Sequence, residues 1–121
     1  MIRSFSISAL LMAALALPAQ AESPEIVAAT AQRVGMGWRI DVTLRHGDTG
    51  WEHYADGWEV LDAGGNRLGY RELMHPHVDE QPFTRGLVNV MLPDGIREIH
   101  IRARCSENGW ARKTVPVALR H

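Results

Sequence analysis

The chain of 121 residues carries 13 Lys+Arg against 14 Asp+Glu, a formal charge of -1, with 45% hydrophobic residues. So near-neutral a balance, without a basic run, offers no electrostatic footprint for nucleic acid or for an anionic membrane surface. The length bounds the fold to one domain, able to bury roughly 60–70% of its unfolded surface without disulfide staples.

The first segment is "MIRSFSISALLMAALALPAQA". Arg3 supplies a positive start, Ile7 to Leu17 is nearly unbroken apolar sequence, and Ala19-Gln20-Ala21 has the small-x-small form of a signal-peptidase site. An apolar run of about 11 residues is too short for the ~20 that cross a bilayer, which predicts a cleaved signal peptide over residues 1–21. No cysteine follows it directly, so no lipoprotein anchor is expected. The expected product is a single domain over residues 22–121, periplasmic or secreted, with no membrane attachment after cleavage. Loss of Arg3 leaves 12 basic against 14 acidic residues, a charge of -2.

Beyond residue 22 the apolar pattern has period two rather than 3.6, interrupted by turn signals, which predicts an all-β domain. "EIVAATAQRVG" is the first predicted strand. "GWRIDVTLRHG" is the second, with Trp38, Ile40, Val42 and Leu44 on one face and Arg39, Asp41, Thr43 and Arg45 on the other. Trp58–Leu61 and Leu68–Leu73 flank the turn "GGN" and form a hairpin, with Trp58 as the expected core tryptophan. "FTRGLVNVML" is the fifth strand, with Val88, Val90 and Leu92 expected on one face. In "IREIHIRARC", the sixth, Ile99, Ile101 and Ala103 alternate with His100, Arg102 and Arg104. "ARKTVPVALR" is the seventh, placed at a sheet edge by Pro116.

Seven short strands in about 100 residues suit a β-sandwich. "LPDGIREIHIRA" is similar to the passage of fibronectin type III domains in which a turn leads into an alternating strand, and "ARCSENGW" resembles the polar loop that follows there. The resemblance implies a seven-stranded immunoglobulin-like or fibronectin type III-like sandwich. "HPHVDEQPFTR" also resembles a passage of small uncharacterised exported bacterial proteins, a resemblance that implies no activity.

Alternate loops of such a sandwich fall at opposite ends. One end receives "RHGDTGWEHYAD", "MHPHVDEQPF" and "CSENGW", and with them His46, His53, His75 and His77. Functional residues concentrate where loops group on a rigid scaffold, so this end is the expected site. In "HPH", Pro76 keeps His75 extended, and a strand-like geometry puts His75 and His77 on one face about 6–7 Å apart. Two imidazoles, joined by His46 or His53, make a donor set for copper or zinc. Asp48, Asp79 and Glu80 are expected as further ligands or as carboxylates that orient the imidazoles.

Cys105, the only cysteine, has three readings: a buried apolar side chain, a soft metal ligand, or a bridge to another chain. Trp51, Tyr54 and Trp110 at the same end either cover the core or form a contact surface for another exported protein. No nucleophile elbow, phosphate loop or His-Glu-x-x-His helix is present, so no catalysis is expected. Two functions stand side by side: an exported protein holding copper or zinc, and a non-catalytic interaction module.

Overall fold

A computed structural model describes residues 23–120; the predicted signal peptide, Glu22 and His121 lie outside the described residues. Eight strands follow one another: β1 (Glu25–Val34), β2 (Gly37–Arg45), β3 (Ala55–Leu61), β4 (Arg67–Glu72), β5 (Phe83–Val90), β6 (Glu98–Cys105), β7 (Gly109–Trp110) and β8 (Val115–Ala118). They form two antiparallel sheets, β1-β2-β5 and β4-β3-β6 with both β7 and β8 on the free side of β6. Among the described residues there is no helix.

The core lies between the sheets because each contributes one apolar face. Trp38, Ile40, Val42 and Leu44 of β2 point inward, as do Trp58 and Val60 of β3 and Ile99, Ile101 and Ala103 of β6. The period-two reading of β2 and β6 therefore holds residue by residue. Phe83, Leu73 and Val117 belong to the same cluster.

Two expectations are corrected. The seventh strand is split in two: Trp110 pairs with Arg104 and Val115 with Ile101, the Ala111 amide still donates to the Ala103 carbonyl (2.9 Å), and residues 112–114 interrupt the strand. Gly109, at φ 75°, makes the tight return from β6 that lets β7 form so soon. The alternation in β5 also departs from expectation. Val88 is 59% exposed, whereas Leu87 and Val90 both pack on the core. The pairing shows why. Trp38 faces Val90 while Ile40 faces Leu87, so three residues of β5 span what two cover on β2. This bulge, with Asn89 at φ 56°, moves Leu87 and Val90 to the same side.

The outer face of the second sheet carries a charged and aromatic layer. Glu59, on the middle strand β3, is only 2% exposed. It accepts hydrogen bonds from Arg67 at 2.9 Å and from Arg102 at 2.6 Å. Trp110 lies over these guanidinium groups, 5.5 Å from Arg67 and 5.0 Å from Arg102, edge-on to Tyr70. Both oxygens of the buried carboxylate are thus met, and the arginines keep contact with water, as a buried ion requires.

Trp58 is fully buried, so Trp58→Ala should cost about 3–5 kcal/mol in urea unfolding. Val88→Ser should stay within about 0.5 kcal/mol, since the bulge leaves Val88 outside. A large loss for Val88→Ser would contradict this register.

Candidate metal centre

The segment from His46 to Tyr54 joins β2 to β3 across the open end of the core. It folds back on itself. The amide of His53 donates to the Gly50 carbonyl (3.2 Å) and that of Thr49 to the His53 carbonyl (3.0 Å). Gly50, at φ 151°, makes this reversal. The reversal returns His53 to His46, and the two rings meet edge to face with centroids 4.8 Å apart.

Cys105 reaches the same place from β6. It continues the inward parity of Ile99, Ile101 and Ala103, and it pairs with Ala55 at the start of β3. Ser106 locks the join, its hydroxyl accepting from the Tyr54 amide (3.0 Å) and its amide donating to the Tyr54 carbonyl (2.9 Å). One potential ligand atom from each of His46, His53 and Cys105 lies within 4.8 Å of the others. Among the described residues this is the group of His, Cys, Asp and Glu side chains placed to hold a metal ion.

The surroundings favour that use. Asp48, whose side chain is fully buried, accepts the Nδ1 contact of His46 at 2.5 Å. Its Oδ1 also accepts the Ala55 amide (3.0 Å), and its Oδ2 the His77 amide (2.8 Å). A carboxylate on one ring nitrogen leaves Nε2 of His46 as the nitrogen for a ligand. His53 has its Nδ1 3.4 Å from Glu107, and its Nε2 is buried with no hydrogen-bond partner. A buried imidazole nitrogen without a partner is costly, and a metal ion would satisfy it. Tetrahedral ligands at 2.0–2.3 Å from zinc stand about 3.3–3.6 Å apart, so the group needs to close by about 1 Å. Two imidazoles and a thiolate suit zinc and copper.

His75 and His77 are neighbours, with ring centroids 4.5 Å apart, but they lie outside this group. His77 stacks flat on Phe83 at 3.8 Å, and its Nε2 is 2.8 Å from Arg85 Nη2. A guanidinium can only donate, so that lone pair is already taken, and a cation beside it opposes a second one. His75 is exposed, its Nδ1 near the Pro76 carbonyl. Asp79 and Glu80 are exposed as well; Glu80 lies 3.8 Å from Arg85. Trp51 is 67% exposed and meets Tyr54 edge-on, while Trp110 belongs to the arginine layer on the outer sheet face. Gln81, a residue without a flag in the sequence, takes the His46 amide on Oε1 (2.9 Å) and donates Nε2 to the His77 carbonyl (2.8 Å).

Burial, then the Arg85 charge and the neighbouring His75, hold the His77 imidazole below its ordinary value of 6.5, with Glu80 and Asp48 opposing the shift. The unfolded chain therefore takes up this proton more readily. The stability that His77 contributes is complete above pH 6.5 and is lost as the pH falls through the lower folded-state value. Urea unfolding of wild type and His77→Gln between pH 7.5 and 4.5 should show a smaller acid loss in the variant; equal slopes would refute the assignment.

No protein-family model matches the chain, and no solved structure matches it. Among curated proteins, a "Putative lipoprotein" from Halomicrobium mukohataei is 36% identical over 83 residues, 69% of this chain. The chain spans 40% of the length of that relative, so the similarity concerns a part of it.

Proposed function

We propose that this is an exported, non-catalytic protein that holds one divalent copper or zinc ion between His46, His53 and Cys105. The observation that carries the reading is the convergence of three ligand atoms within 4.8 Å, one residue of the three having a buried ring nitrogen with no partner. Charge supports the divalent state. A Cys105 thiolate and the Asp48 carboxylate together balance two positive charges, and a neutral cluster is the inexpensive one in a buried place. The thiolate forms as the metal displaces its proton.

Export is supported by the residues of the amino-terminal segment and by the description of the relative as a lipoprotein. Periplasmic or secreted placement follows from the same features. The sheet orders β1-β2-β5 and β4-β3-β6 with β7 and β8 are compatible with a β-sandwich of the fibronectin type III kind, β7 and β8 standing for its last strand.

A second reading rests on exposed Trp51: the loop end serves as a contact surface for another exported protein through Trp51 and Tyr54. Neither reading involves nucleic acid or membrane contact after signal cleavage.

Protein made without a histidine tag, incubated with Zn2+ or Cu2+ and dialysed, should retain about one ion per chain by elemental analysis. Cys105→Ser and His53→Ala should lower retention at least 10-fold, while the exposed-site variant His75→Ala keeps it. Wild type free of both ions would refute the metal reading, and loss confined to His75→Ala would move the site. If Trp51→Ala leaves every co-purifying exported protein bound, the contact reading is wrong.

A further inference from the structure

Four hydrogen bonds close a ring beside the candidate centre. The His46 amide donates to Gln81 Oε1, Gln81 Nε2 donates to the His77 carbonyl, the His77 amide donates to Asp48 Oδ2, and Asp48 Oδ1 meets His46 Nδ1. His46, Asp48 and His77 are all buried. The ring joins two segments, residues 46–48 and 77–81, that no strand pairing connects. It touches the metal-ligand group only through His46.

We propose that Asp48 and Gln81 are the positioning residues of the metal centre, holding His46 with Nε2 free for the ion and coupling the centre to the 77–81 segment. The inference rests on the metal reading above and extends it to a network that touches no metal. One carboxylate serves both ends: Oδ1 sets the ring of His46, and Oδ2 holds the backbone of His77. An ion that pulls on His46 therefore tightens or strains the hold on His77, and a loosened 77–81 segment frees His46 to turn. Orienting carboxylates of this kind change metal affinity 10–100-fold when removed. In this chain the same group also reports occupancy to an adjoining loop, since reciprocal coupling is required by linkage.

Three readouts on the full chain, with Zn2+ as the probe, test this. Zinc affinity by competition with a chromogenic chelator should fall 10–100-fold in Asp48→Asn and about 5-fold or more in Gln81→Met. The exchange rate of the His77 amide should change on adding Zn2+ to wild type and not in Asp48→Asn. In metal-free wild type, nitrogen NMR of the His46 ring should show the proton on Nδ1, a signature that a general loss of stability does not produce. Wild-type affinity in both variants overturns the inference, as does His77 exchange that ignores the ion or an unprotonated His46 Nδ1. Should Asp48→Asn not fold, Gln81→Met carries the comparison, because it removes two bonds of the ring and leaves the carboxylate in place. Wild type that takes up no zinc refutes the metal reading itself, a result distinct from uptake that both variants match.

Discussion

A carboxylate placed out of reach of water must find its donors within the protein, and Asp48 finds three of them in three parts of the chain. His46 stands at the end of β2, Ala55 at the start of β3, and His77 in the connection from β4 to β5. Each hydrogen bond to a charged group contributes about 1.5–3 kcal/mol, and burying the ion costs several kcal/mol, so the net gain in stability is modest. What the carboxylate does is select one arrangement of the loops. Any other leaves a buried negative charge unmet. The proximity of His46, His53 and Cys105 depends on that selection.

The sheets supply the fixed frame for it. The inward parity of β6 ends with Cys105 at the rim of the core, and the pairing of Cys105 with Ala55 sets its distance from the 46–54 loop. A thiol at such a place packs like a small apolar side chain, and it is a candidate ligand only because two imidazoles lie within 4.8 Å of it. The opposite, outer face of the same sheet is held by the Glu59 carboxylate, its two arginines and Trp110. That layer ties β3 to β6, the strand that carries Cys105, while the imidazoles come from the segment that joins β2 to β3.

Where the chain obeys a strict period of two, the sequence alone places its residues inward or outward. β2 and β6 are such segments. The reading failed in β5 because one inserted residue at the bulge reverses which side each later residue faces, and "LVNV" contains no sign of the insertion beyond Asn89. It failed again beyond Gly109, where a glycine return created a two-residue strand too short for any periodic signal. For the site, the end of the molecule was legible and the grouping was not. "HPH" sets two histidines close in sequence, yet His77 spends its lone pair on Arg85 and its ring face on Phe83. Gln81 bears no feature that marks it, since its role is set by what lies opposite.

The amino-acid sequence by itself determined the all-β class, the inward residues of the regular strands and the gathering of histidines and carboxylates at one end, because these follow from side-chain alternation and from the order of loops. Only the tertiary structure decided which polar groups meet. His46 joined His53 and Cys105 rather than His75 and His77 in the candidate centre because the reversal at Gly50 and the β3–β6 pairing bring those three together. His77 meets an arginine and an aromatic ring instead, and His75 is exposed. A short list of residue types at a given end permits many pairings, and the choice among them falls to the donors that a buried carboxylate must have.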